Sequence, residues 1–213
     1  MMDQQEHFDR ILSGLRQKIE HILSGSRLEH TLLVEQTAAE IARLYCPKNE
    51  SKLRAAALLH DVTKELTLEE HISILQDYGV KPTKEMISAP ATLHAITAAL
   101  IIPKRYPEFD DNAIISAVRY HTTGKADMTL EQKIIYLADY IEPSRRYDSC
   151  KRLRELFFGA DIEKMSEGER MLHLDRVILE SLDLTLEHLQ DKGGAICLET
   201  KMAREYLAKQ LIH

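Results

Sequence analysis

Glycine and proline are scarce in this sequence, at 8 and 6 of 213 residues. So few turn-formers leave long uninterrupted stretches, and within them the apolar residues recur at helical rather than alternating spacing. Cysteine is scarcer still. Cys46, Cys150 and Cys197 lie far apart with no CxxC pair, which suggests neither a disulfide framework nor a zinc knuckle. No apolar run approaches membrane-spanning length, AALII at 98–102 being among the longest. Basic residues are in deficit, 28 against 34 acidic, for a formal charge of -6. That balance argues against a nucleic-acid partner held by general electrostatics, although a local basic pocket stays compatible with it. The N-terminal MMDQQEHFDR has neither the basic start nor the apolar run of a secretory signal, so the expected compartment is the cytoplasm, with no membrane partner.

What is there reads as helix almost throughout. The spacing predicts helices over about 5–23, 27–45, 52–62, 68–78, 91–101, 112–121 and 130–141, each bounded by proline, glycine or a capping residue. Amphipathic segments over about 150–158, 167–190 and 195–211 follow. Thr67 before LEE and Thr129 before LEQ have the form of capping boxes. With no linker, repeat or low-complexity tract, the expected architecture is all-α: a single domain over 1–213, with a core at about 27–146 and a C-terminal helical extension at about 150–211. Two fates fit that extension, packing the core or supporting a homodimer.

The stretch ALLHDVTKE at 57–65 sets a histidine beside an aspartate among apolar neighbours. Burying both costs on the order of 2 kcal/mol or more each unless a partner compensates. The same conflict recurs. His30 shares a face with Val34, Ala38 and Ile41, His94 sits in ATLHAITAAL, His121 ends ISAVRYH, and Asp139 sits in IIYLADYI. For any one histidine, a backbone hydrogen bond is the commoner explanation. Four histidines and two aspartates on apolar faces are better explained by a divalent cation, which compensates them together. Neutral His with anionic Asp, and no thiolate, suits Fe, Mn, Mg, Co or Zn. Adjacent residues of a helix project about 100° apart, so His60 and Asp61 reach one point only if the ion stands off the helix or the turn distorts. Asp61 has two oxygens and can bridge. With His30, His60 and Asp139 around one ion, His94 and His121 remain for a second. His7, His21, His71, His173, His188 and His213 sit among charged residues and read as surface.

The ordered set His30, His60-Asp61, His94, His121, Asp139 resembles the HD-domain metal phosphohydrolase superfamily, in its version with extra histidines and two metals. Longer strings are closer still to one branch: RLEHTLLVEQTAAEIA, AALLHDVTKEL, LHAITAA and AVRYHTTGKADMTLEQKIIYLADYIEPSRR. They resemble the bacterial YqeK-type symmetrical bis(5'-nucleosyl)-tetraphosphatases, over about 18–199. YDSC at 147–150 departs from that family's Phe-Pro-Gly-like stretch. The resemblance implies an HD-domain helical bundle that cleaves diadenosine tetraphosphate to two ADP by metal-bound hydroxide. It also implies two divalent ions, with iron ahead of Mn, Co, Mg or Zn. It gives Glu142 a supporting place behind the ligands.

A dinucleoside polyphosphate brings several negative charges, which a chain of net -6 must meet locally. Lys64, one turn past Asp61, is expected to overhang the ions, so Lys64 and Asp61 are the expected catalytic pair. Arg27 and Arg145 are candidate phosphate contacts, Arg145 and Arg146 reading equally well as a solvated pair at a helix C-terminus. The turn Thr122-Thr123-Gly124 could cradle phosphate through its N–H groups and hydroxyls. Tyr136, Tyr140 and Tyr147 could stack on a base, core packing being the commoner fate. Two other readings stay open: a nucleotidase or cyclic-nucleotide phosphodiesterase using the same ligands, and a nucleotide-binding regulator without turnover, against which the full ligand set and Lys64 argue.

Overall fold

Side chains cap the starts of five helices, at Thr67, Thr83, Asp111, Thr129 and Ser166. In this computed structural model, which describes residues 4–212, eleven α-helices follow one another: α1 Gln4–Ile22, α2 Gly25–Tyr45, α3 Glu50–Leu59, α4 Leu68–Asp77, α5 Lys84–Ser88, α6 Leu93–Arg105, α7 Asn112–Tyr120, α8 Leu130–Ile141, α9 Asp148–Phe158, α10 Glu167–Asp191 and α11 Leu198–Ile212. Among the described residues there is no strand, so the chain is all-α. No described helix is long and apolar enough to cross a membrane. His213, expected on the surface, lies outside the described residues. Thr67 and Thr129 close the expected capping boxes with Glu70 and Gln132, and Ser166 closes a third with Glu169.

α3 is the hub. Its run Leu53, Ala55, Ala56, Ala57, Leu58 and Leu59 is buried on all sides, between α2, α1, α7 and α8. The three alanines keep the helix thin enough for these neighbours to approach closely. One continuous apolar core extends from Leu12, Leu15 and Ile19 of α1 through α2, α3, α6, α7 and α8 to Leu174, Val177, Ile178 and Leu182 of α10 and Ala203 and Leu207 of α11. The C-terminal helices therefore contribute to that core. Glu35 of α2, 1% exposed, accepts from Arg16 of α1 at 2.8 Å and from Arg54 of α3 at 2.8 and 3.0 Å, tying the first three helices.

Three elements differ from expectation. α3 stops at Leu59 rather than about 62, and the chain continues in tight turns, Lys64 N–H donating to Asp61 O at 2.9 Å and Leu66 N–H to Thr63 O at 3.2 Å. α6 begins at Leu93 and runs past Pro103 to Arg105. Pro103 removes one hydrogen bond, and with two residues left in the helix the ladder beyond it is short. α5 is a single turn capped by Thr83, whose hydroxyl accepts from Met86 N–H, and is too short for a periodic signal.

Candidate metal centre

The end of α3 answers the geometric conflict raised by His60 and Asp61. Because the helix gives way to three-residue turns at that point, both side chains face the same buried space, His60 fully buried and Asp61 2% exposed. His60 Nδ1 lies 2.6 Å from Ala57 O, three residues back. His121 repeats the device just past α7, with Nδ1 2.7 Å from Val118 O. His30 on α2 uses a carboxylate instead, its Nδ1 standing 3.1 Å from Glu142 Oε1. A carbonyl or carboxylate partner favours the proton on Nδ1, so in all three rings Nε2 is the nitrogen turned into the cluster and the one that would ligate a cation. Glu142 is held in turn by the Ser144 N–H and hydroxyl, both at 2.6 Å.

Six side chains converge. His30 Nε2 lies 3.0 Å from Asp139 Oδ1 and 3.3 Å from His60 Nε2. His94 Nε2 lies 3.0 Å from His121 Nε2 and 3.2 Å from Asp61 Oδ1. Asp61 stands between the groups: Oδ2 is 3.5 Å from His60 and 3.7 Å from His30, while Oδ1 is 3.7 Å from His121. The residues fit a cation. Two ring nitrogens each roughly 2.1 Å from one ion, at about a right angle, stand roughly 3 Å apart. Among the described residues, no hydrogen bond reaches the buried Oδ1 of Asp61. An unpaired buried carboxylate oxygen facing imidazole nitrogens is what a shared positive charge would satisfy.

The electrostatics agree. Burial opposes ionisation of Asp61 and Asp139, yet neighbouring imidazoles, and for Asp139 also Arg145, hold both carboxyls well below the usual range. Burial also disfavours charge on His30, but the hydrogen bonds it donates to Asp139 and Glu142 reverse this and raise it to about 9, so a cation at Nε2 would take the place of a proton there. His94 is pushed down to about 4 by burial, with the charge of His121 and Lys64 adding to the effect, and His121 is lowered by burial. One half of the cluster therefore attracts positive charge strongly, and the other presents neutral rings.

Three cations sit at the rim, each about one-third exposed. Arg27 donates to Asp61 Oδ2 at 2.5 Å, and Arg145 to Asp139 Oδ1 at 2.5 Å and to the Asp139 carbonyl at 3.0 Å. Lys64 Nζ lies 3.0 Å from His94 Nε2 and 3.8 Å from Asp61 Oδ1, its pKa lowered chiefly by burial. Lys64 thus marks the His94 side, Arg145 the Asp139 side, and Arg27 the bridging aspartate. Arg146 is exposed.

The turn after His121 divides. Thr122 Oγ1 reaches His121 Nε2 at 3.0 Å and His94 Nε2 at 3.2 Å. The Thr123 hydroxyl instead engages Glu199 at 3.0 Å and the Gly124 carbonyl at 2.9 Å, and Gly124 packs against α11, so neither joins the cluster. His7, His21 and His188 are exposed as expected. His173 is not: its ring stacks on Phe157 at 5.5 Å. His71 is a correction, being only 4% exposed, with Nδ1 2.9 Å from the Thr97 hydroxyl. That hydroxyl pairs with Thr63 at 3.0 Å, and Thr63 donates to the His94 carbonyl at 2.9 Å. The signal was present, since Leu68, His71, Ile74 and Leu75 share one helical face. Tyr136 is buried in the core beside Ser181, and Tyr147 is 72% exposed.

A sequence profile of the HD domain matches residues 27–144, the segment that supplies all six converging side chains. The chain belongs to the HD domain family. Within that family, it is 30% identical over 185 residues to the symmetrical bis(5'-nucleosyl)-tetraphosphatase of Bacillus subtilis, covering 87% of this chain and 91% of the relative. The enzyme of the same name from Staphylococcus aureus is 32% identical over 64% of this chain and 69% of its own. Among solved structures, a predicted HD superfamily hydrolase involved in NAD metabolism from Clostridium acetobutylicum superposes with a TM-score of 0.81 at 31% identity, covering 93% of this chain and 97% of that one. HD hydrolases are metal-dependent, and the His/Asp clusters of this chain have the donors to bind metal.

Proposed function

We propose that the chain, acting as one domain, hydrolyses diadenosine tetraphosphate symmetrically to two ADP with two divalent ions, iron ahead of Mn, Co, Mg or Zn. The observation that carries this reading is Asp61 standing between His30 and His60 at one oxygen and His94 and His121 at the other, with a cation at each flank and one at the bridge. The names of the tetraphosphatase relatives support it. Bound ions would supply a water of lowered pKa and neutralise charge on the reacting phosphate.

The chain's own residues do the rest. His30, His60 and Asp139 would hold one ion, His94 and His121 the other, and Asp61 would be shared between them. The Nδ1 partners Glu142, Ala57 O and Val118 O keep three rings from rotating. Lys64 and Arg145 meet phosphate oxygens on either side of the reacting phosphorus, and Arg27 those over the centre. Cationic groups on both flanks suit a polyphosphate lying across the site with a central phosphorus in the middle. Water adds to that phosphorus, the bond to its bridging oxygen breaks, and each product is ADP.

Hydrolysis in oxygen-18 water tests this. The expected products are ADP alone, with label in the terminal phosphate of half the molecules, from protein purified without chelator and carrying two metal ions per chain. ATP and AMP appearing together would overturn the symmetric reading, and faster turnover of a nucleoside monophosphate would overturn the substrate.

A further inference from the structure

The chain just before and at the start of α11 reaches back to the elements that carry His94 and His121. Cys197 Sγ lies 3.9 Å from the Thr92 hydroxyl, two residues before His94, and Leu198 N–H donates to Glu85 of α5 at 2.9 Å. Glu199 does more. It takes a two-pronged contact from Arg119, at 2.7 and 3.2 Å, and a hydrogen bond from the Thr123 hydroxyl at 3.0 Å. Arg119 and Thr123 stand two residues before and two after His121, so one carboxylate holds a side chain on each side of that histidine.

The rest of α11 extends the same contact. Ala203 packs so closely on Gly124 that a Cβ there would meet it at 3.2 Å, and Gly124 also needs its φ of +63°. Tyr206 donates to Asp127 at 3.0 Å, beyond the turn. The Nδ1 bond of His121 fixes its ring rotation. It does not fix where the end of α7 sits relative to His94. Arg119 and Thr123 are the handles for that placement, and Glu199 holds both.

We propose that Glu199 is a positioning residue for the His94–His121 half of the centre, making α11 a functional part of the site. The inference rests on the two-ion reading and goes beyond it by assigning a remote carboxylate to one ion only. The Arg119–Glu199 pair is partly exposed, so its loss bears little on global stability. Its loss instead frees the 119–123 segment by the few tenths of an ångström that ligand geometry does not tolerate.

Titration of the full chain with Mn²⁺ alone, followed by calorimetry and by the EPR signal of a coupled ion pair, tests this without substrate. Failure of tetraphosphate hydrolysis would therefore leave the result unaffected. Glu199→Ala is expected to bind the first Mn²⁺ as the unaltered chain does and the second about tenfold more weakly, with loss of the coupled signal. Glu199→Gln, which keeps an acceptor for Thr123, should recover part of the second affinity. Arg204→Ala removes another α11 anchor, the 2.7 Å pair with Asp183, and should leave both ions bound normally. Unchanged affinity for both ions in Glu199→Ala overturns the proposal. So does equal weakening of both, or an unaltered chain that takes up a single ion. If Glu199→Ala does not fold, Thr123→Val must show the selective loss, and normal binding there overturns the proposal.

Discussion

Lys64 illustrates how much a single residue inherits from local geometry. Its place one turn after His60 and Asp61 was readable in HDVTK, but its contact with the His94 ring was not, because that depends on the turn replacing the last helical turn. Replacing it by methionine removes a donor from the rim without touching a ligand atom. The expected outcome of Lys64→Met is unchanged metal content and fold, with kcat on diadenosine tetraphosphate lower by about 10²–10³, as for loss of one preorganised donor. Metal analysis beside steady-state kinetics checks it, and normal turnover would remove Lys64 from the site. The six converging side chains were legible because polar groups on apolar helical faces demand an explanation. The partner of Thr123 and the burial of His71 were not read: a hydroxyl next to a ligand looks ordinary, the glutamates beside His71 masked its apolar face, and the partners Glu199 and Thr97 are far away in sequence. Glu199 itself gave no sign, since ICLETKM marks neither a ligand nor a buried face.

At the scale of elements, boundaries were legible wherever a cap is written in the chain, as at Thr67 and Thr129. They failed where tertiary demands override pattern. AALLHDV continues the apolar period past Leu59, yet the backbone leaves the helix there, in a turn that lets two adjacent side chains face one space. α7 shows what a cap contributes to the site. Asp111 accepts from Ala113 N–H at 2.8 Å and Ile114 N–H at 3.4 Å, and binds Lys52 of α3 at 2.8 Å, while the other end of the same helix delivers His121. Burial works against its charge, but Lys52 and these N–H groups lower its pKa below 3.8. A depressed carboxyl stabilises the fold above its unfolded value, and the contribution disappears as pH falls through the folded one. Asp111→Ala is expected to cost about 1 kcal/mol, or roughly 2–4 °C in Tm, near neutral pH. The difference from the unaltered chain should shrink below pH 3.8. Thermal melts of both proteins across pH 3–7 measure this, and a difference independent of pH would show that the carboxylate is not the cap.

Over the whole molecule, the all-α class and the ligand core were legible because scarce turn-formers and helical spacing leave few alternatives. The packing of α10 and α11 was left between core and dimer, since amphipathic faces do not name their partners. Metal removal acts at this scale. The cluster draws on α2, the turn after α3, α6, the turn after α7, and α8, so an ion bound there is bound to the folded chain alone and adds to its stability. Treatment with a strong chelator is expected to lower Tm by several degrees, and Mn²⁺ or Fe²⁺ should restore it. A melt indifferent to chelator would argue against bound metal. The pairing of His30 with Glu142, 112 residues apart, carries a kinetic consequence. Closing a contact so distant in sequence costs the entropy of the whole intervening loop, so the centre is expected to form late on the folding route. Interactions absent from the transition state slow unfolding without hastening folding. The centre is accordingly a latch: metal should leave the refolding rate nearly untouched and lengthen the lifetime of the native chain.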